Sequence, residues 1–337
     1  MPKSPDLVDE LSVTQRTAEA VAASIAHGPH RMTIGLRPLA LADWIDDGAD
    51  FAAQLRERAT LLRERADVVC ALPGSQAAQR ELLALLIVHL RVHFAQAYAF
   101  SAPGKSARVT VKATGQSVSL ADDQADDAAL RGAAQLVPED LCLLQADESG
   151  SYRLRAAALC FPTRWRLADK LGQPLLDIHA AVPGYAREIG AAADRVLRSL
   201  DAARPLWRHN WSLLDSPVLH QPARIELQRA LEPADFGARL WMRCERQTLR
   251  RLPQSGAVLF TIRIRQCTLD ALCQQSGAAE RLLSQLQTMP AALRAYKGLD
   301  QIDAPLRAYL RAASRVSIAS SVAAANSRAR GHEEGGL

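Results

Sequence analysis

Two stretches of alternating side chains, residues 239–246 and 258–265, constrain the fold of this chain most tightly. Successive residues of a strand point to opposite faces. Leu240, Met242 and Cys244 therefore oppose Trp241, Arg243 and Glu245, while Phe260, Ile262 and Ile264 oppose Thr261, Arg263 and Arg265. Joined through residues 247–256, the two stretches predict an antiparallel sheet with a face able to hold charged groups. Alternation at 108–112 and 117–120 around Thr114-Gly115 predicts a hairpin, and a further strand is expected over 152–161. Helical spacing marks 51–66 and 76–97, the latter behind Ser75 as a cap. Pro183-Gly184 opens another helix, with Ile189, Ala193, Val196, Leu197 and Leu200 on one face. Residues 269–322 read as helices. The economical outcome is a single α+β domain over 31–322, with an adaptable N-terminal arm (1–30) and a disordered tail (323–337).

Composition excludes more than it identifies. The chain has 337 residues, of which 48% are hydrophobic and 23% charged, as in ordinary globular proteins. A net charge of +5 without a clustered basic run argues against nucleic acid as a partner. The apolar stretch 82–90 falls far short of the roughly 20 residues needed to cross a membrane. No basic, apolar leader opens the chain, so the expected location is the cytoplasm. Six cysteines occur without a C-x-x-C pair, which removes zinc ribbons and iron–sulfur clusters, and no glycine fingerprint for a dinucleotide or P-loop phosphate follows a strand.

Candidate chemistry gathers in a few places. His179, in Ile178-His179-Ala180-Ala181-Val182-Pro183, lies between a strand-containing segment and a helix start. A neutral imidazole there suits an iron or metal ligand if its other nitrogen is tied down, although a loop histidine is also an ordinary hydrogen-bonded residue. Glu245 shares a strand face with Trp241 and Arg243. A carboxylate beside an aromatic suits an alkylammonium cation, and an Arg–Glu cross-strand pair is the alternative. Residues 207–211, Trp-Arg-His-Asn-Trp, concentrate aromatic and hydrogen-bonding groups that also suit a capped core loop. His89 and His93 have the i, i+4 spacing of a metal pair but lack an acidic residue between them. Cys160 reads as a buried small hydrophobe.

The chain resembles the haem-dependent oxidative N-demethylase family. The resemblance rests on ordered motifs between about residues 32 and 300: Ile34-Gly35-Leu36-Arg37-Pro38-Leu39 with Asp43-Trp44-Ile45; Val137-Pro138-Glu139-Asp140-Leu141; Cys160-Phe161-Pro162 with Trp165; Asp169-Lys170-Leu171-Gly172; Ile178-His179 with Val182-Pro183; Arg208 with Asn210-Trp211; and residues 245–253. Ala181 departs from the proline of the family pattern. The resemblance implies a PAS-like α+β fold around haem b. It also implies oxidation of a small secondary amine such as dimethylamine by O2 to a primary amine and formaldehyde. NADPH, flavin and an iron–sulfur cluster are then expected on partner reductase subunits rather than on this chain. His179 becomes the expected axial ligand. Lys170, Arg208, Arg246 and Arg250 become candidates for the haem propionates, and Glu245 for the amine or for proton delivery. A haem-binding sensor and a non-catalytic subunit are the alternatives.

Overall fold

The computed structural model describes residues 5–102, 104, 107–120, 125–223 and 231–315, with side chains from residue 13 onward. Ten strands run in chain order: β1 Arg37–Pro38, β2 Val69–Ala71, β3 Tyr98–Phe100, β4 Arg108–Val111, β5 Ser117–Ser119, β6 Asp140–Ala146, β7 Tyr152–Ala158, β8 Leu206–Leu214, β9 Trp241–Arg251 and β10 Val258–Thr268. Seven form one antiparallel sheet in the order β1-β8-β9-β10-β6-β7-β2, and β3-β4-β5 form a small second sheet. With helices packed around it, the chain has the α+β architecture expected from its patterning.

The long central pair extends further than its alternation indicated. Residues 247–251 continue β9 instead of forming a loop, and only 252–257 turn. Gln247, Thr248, Arg250 and Arg251 are polar yet keep strand register: Thr248 and Thr261 pair across the ladder with hydroxyl oxygens 2.6 Å apart. The turn itself is clamped from outside, because the Glu81 carboxylate accepts from the backbone N–H groups of Gln254 (2.6 Å) and Ser255 (2.8 Å). Gly256, at φ +69°, supplies the left-handed residue that closes it.

Four further elements depart from expectation. Strand β6 lies in the middle of the sheet, and its run Leu141-Cys142-Leu143-Leu144 is buried throughout, so it shows no period of two. Residues 207–211 belong to β8, with both aromatic and polar side chains on a paired strand rather than in a loop. The supposed N-terminal arm contains a helix over Pro5–Ala23 that packs on β9 and β10. Its inner face is Ala18, Val21 and Ala22, continued by Ile25, and these join a core with Met242, Cys244, Leu269 and Leu282. Small alanines bury there without advertising an apolar stripe. The helix after Ser75 ends at His93, four residues early, where the chain turns into β3. Beyond β10, helices over Leu269–Cys273, Ala278–Thr288, Ala291–Tyr296 and 303–315 complete the fold. The tail 323–337 lies outside the described residues.

Candidate active site

The site is organised by the register of β8 and β9. Arg208 stands opposite Gln247 and Asn210 opposite Glu245, so these four side chains share one face. On β10, Ile264 stands opposite Glu245 and Ile262 opposite Gln247, giving that face an apolar flank. Glu245 is held by neutral donors only. Thr163 Oγ1 donates to Oε1 at 2.7 Å, while Gln247 Nε2 (2.8 Å) and Asn210 Nδ2 (3.2 Å) donate to Oε2. No salt bridge involves Glu245 among the described residues, so the expected alternative of an Arg–Glu pair is not what fixes it. Its side chain is thus oriented with no cation in direct contact among the described residues.

Thr163 reaches Glu245 through an unusual backbone. Arg164 adopts φ 60°, the only non-glycine residue with positive φ among those described, and its N–H donates to Gln221 O at 2.6 Å. Such a conformation costs on the order of 1 kcal/mol or more and persists where surrounding contacts impose it. Here the Arg164–Asp215 ion pair (3.0 Å) and the Gln221 N–H bond to Pro162 O (3.2 Å) do so. The result is a hydroxyl aimed at the carboxylate from 82 residues away in sequence.

His179 occupies the end of a short helical turn, Leu175–Ile178. Its Nδ1 lies 2.9 Å from Leu175 O, and its ring stacks on Tyr185 with centroids 4.4 Å apart and planes inclined by 12°. Donating Nδ1–H to that carbonyl fixes the tautomer that presents a lone pair at Nε2, the usual arrangement of a metal-binding imidazole. Burial lowers the pKa of His179; the Leu175 bond opposes that shift, and Arg208 and Lys170 add to it. The imidazole is thereby kept in the neutral, ligating form. His220 makes a similar bond, Nδ1 to Cys160 O at 2.8 Å, but its Nε2 is enclosed without a partner, whereas Nε2 of His179 is not sealed in.

The expected cationic residues divide into two sets. Arg208 lies on the Glu245 face, donating to Ile34 O at 3.0 Å, and its Nε is buried without a partner. Lys170 donates to Ile178 O at 2.7 Å and thus anchors the turn that carries His179. Arg246 and Arg250 lie on the opposite face, because Arg246 pairs with His209 and Arg263, and Arg250 follows it by four residues on the same strand. Arg246 donates to the carbonyls of Asp43 and Trp44, and Arg250 stacks over the Trp44 ring at 4.2 Å. Strand alternation therefore separates these two arginines from Arg208 and Glu245. A cavity of about 440 Å³ on their side is lined by Asp43, Asp46, Trp207 and Arg246 among others, with no histidine or cysteine to supply an axial ligand.

Other candidates recede. His89 packs edge-on against Trp44 (5.0 Å) and beside His93 (4.7 Å), and no cluster of three metal-ligating side chains occurs among the described residues. Cys160 is fully buried, and burial pushes its thiol up to about 12, so it stays protonated. Haem asks for less than a metal cluster does: one axial donor and cations for its carboxylates. The open Nε2 of His179 and the unpartnered Nε of Arg208 fit that requirement.

A family model described as haem-dependent oxidative N-demethylase, alpha subunit-like, matches residues 35–307, which is most of the chain. The chain belongs to this family. The match spans every element that builds the site, from the Ile34 neighbourhood through the His179 turn, β8 and β9 to the Ala291–Tyr296 helix. Among the described residues no helix is long and apolar enough to cross a membrane. Sequence reasoning singled out Arg208 and Glu245, which share this face, and His179, which stacks on Tyr185 within electrostatic reach of Arg208. It missed Thr163 and Gln247 as the groups that hold Glu245. Only a register, not a motif, reveals such partners.

Proposed function

We propose that this chain is the haem-carrying subunit of an oxidative N-demethylase that acts on a small secondary amine of the dimethylamine class. The observation that carries the reading is the His179 turn, with Nδ1 committed to a carbonyl and the ring stacked on Tyr185 within electrostatic reach of Arg208. His179 would ligate haem b through Nε2, and Arg208 would meet a propionate. Lys170 would act at one remove by holding the turn in place. Arg246 and Arg250 are assigned a structural role instead, fastening residues 43–44 to the sheet.

Bound haem supplies the activation of O2, and the electrons come from outside the chain, from NADPH through flavin and iron–sulfur reductase subunits. The net reaction is a dialkylamine plus O2, two electrons and two protons giving the primary amine, formaldehyde and water. The protein's own part is recognition and placement. A secondary amine is a cation at neutral pH, and the carboxylate of Glu245 offers it a charge-assisted hydrogen bond. Thr163, Asn210 and Gln247 keep both carboxylate oxygens in place, so the orientation is established before substrate arrives. Ile262 and Ile264, on the same face, suit the methyl groups. As the amine must lose its proton before the C–N bond is cleaved, Glu245 is also the group placed to accept it.

The test is amine-dependent oxygen consumption by the haem-loaded chain with a surrogate reductase, with formaldehyde assayed alongside. Consumption matched by formaldehyde supports the demethylase. Haem binding with no amine-dependent turnover would instead favour a haem sensor.

A further inference from the structure

Two constraints of different kinds act on the His179 ring. The contact of Nδ1 with Leu175 O, at 2.9 Å, holds one edge of the ring but leaves its plane free to swing about that bond. Tyr185 sets the plane, because its phenol lies face to face with the imidazole, centroids 4.4 Å and planes 12° apart. Two successive turns bring the chain back to make this stack: Val182 N–H donates to His179 O (2.9 Å) and Tyr185 N–H to Val182 O (3.1 Å). Gly184 takes the left-handed step between them at φ +82°, and a Cβ there would stand 3.0 Å from Glu188 Oε1. A π-helical turn over Ala186–Gly190 follows at once. Such turns are rare and recur at functional sites; the extra residue rotates what precedes it by about 100° relative to an unbroken α-helix. The helix that continues over Ala191–Ser199 places Leu197 in the core with Leu154 and Leu159, whereas Tyr185 is turned onto His179. Gly190 leaves the room for this, since Tyr185 Cε1 and Leu176 Cδ1 lie 3.8 and 3.6 Å from where its Cβ would be. The Tyr185 side chain is buried, and its hydroxyl has no hydrogen-bond partner among the described residues, so what it contributes here is the face of its ring.

We propose that Tyr185 is the positioning residue of His179, its ring fixing the plane in which the imidazole presents Nε2 to a ligand. On the reading given above, on which this inference rests, that ligand is the haem iron. An imidazole already held in its binding orientation gives up less freedom on ligation, so the stack contributes to haem affinity without touching haem. The Pro183-Gly184 turn and the π-turn after it are then the local backbone devices that deliver Tyr185 to this place.

The experiment is a double-mutant cycle on the full-length chain, prepared free of haem and titrated with haemin while the Soret band is followed: wild type, Tyr185→Leu, His179→Ala and the double variant. Tyr185→Leu should weaken haemin binding about two- to tenfold, the worth of one aromatic pair, whereas Tyr185→Phe keeps the ring face and should bind like wild type. Tyr185→Met takes the place of the leucine variant where that fails to fold by circular dichroism. In the His179→Ala background the leucine substitution should have no further effect, because the ring it positions is gone. Where His179→Ala takes up no haemin, the ferric electron paramagnetic resonance spectrum decides: broadened or additional g values in Tyr185→Leu support the role, and a spectrum identical to wild type overturns it. Unchanged haemin affinity in Tyr185→Leu, or a loss of equal size with and without His179, also overturns it while the haem reading stands. If His179→Ala binds haemin as wild type does, or wild type binds none, both fall.

Discussion

The two faces of the β8-β9-β10 sheet differ in how their acids are treated: Asp46 and Asp50, against the far face, are ion-paired to arginine, whereas Glu245 on the near face is held by neutral donors. On the far face, Arg263 bonds to Asp50 (2.5 Å), Gln54 and the Asp46 carbonyl, Arg265 pairs with Asp46, and Arg246 binds two carbonyls. Each is consumed in fastening residues 43–54 to the sheet. On the near face, Arg208 and Arg243 bond to backbone carbonyls with no acid in contact among the described residues, and Glu245 has donors but no cation in contact. The ion-paired far face is architecture, and the near face, where Glu245 has no cation in contact, is the one we read as prepared for a ligand. Residues adjacent in sequence, Glu245 and Arg246, thus belong to different tasks.

That contrast can be broken most forcefully at Arg263, which has no exposed side-chain surface. Arg263→Met should destabilise the fold by about 3–5 kcal/mol, the usual cost of leaving one partner of a buried pair behind, with haem affinity per folded molecule unchanged. Denaturant unfolding and a haemin titration read the two effects separately. An equal loss of haem affinity would merge the faces that the account keeps apart.

Glu139, next in size, serves the same fastening: it is fully buried, accepts from the Asp46 N–H at 2.9 Å and has its other oxygen unpartnered. Burial raises its pKa to about 7, from 4.5. The folded protein then keeps a proton that the unfolded chain releases, so this contribution to stability is complete below about pH 4.5 and lost as pH rises through about 7. The loss amounts to roughly 3 kcal/mol or slightly more. Glu139→Gln should flatten that part of the stability–pH profile, and a variant whose profile retains the wild-type slope would refute the assignment.

On the near face, Glu245→Gln should leave unfolding unaffected within about 0.5 kcal/mol. Amine affinity, followed as a shift of the haem spectrum, should fall ten- to a hundredfold, the worth of one charge-assisted contact of about 1.5–3 kcal/mol. Unaltered amine affinity would remove Glu245 from recognition. The smallest effect belongs to Arg250, whose guanidinium stacks on Trp44. Its replacement by methionine should cost about 0.5–1 kcal/mol of stability and leave the Soret titration unchanged; weakened haem binding there would restore Arg250 to the propionate role.

How much of this was legible in the sequence follows from the same geometry. Strands β9 and β10 announced themselves because each has one apolar and one polar face, and the parity that separates Glu245 from Arg246 is visible in the residues alone. Strand β6 was hidden, since burial on both sides erases alternation. The N-terminal helix was hidden because its buried face relies on Ala18 and Ala22. His179 stood out by its motif, yet the bond from Nδ1 to Leu175 that makes it a credible ligand is a fact of the turn. Thr163 was beyond reach, because what brings it to Glu245 is an αL residue at Arg164, imposed by contacts distant in sequence.

The central claim, that His179 holds the iron, is tested most directly by the visible spectrum of the haem-reconstituted chain beside that of His179→Ala. The account predicts that the wild-type Soret band is lost or displaced in the variant and returns on adding imidazole, while circular dichroism stays the same. An identical Soret band in the two proteins would contradict it.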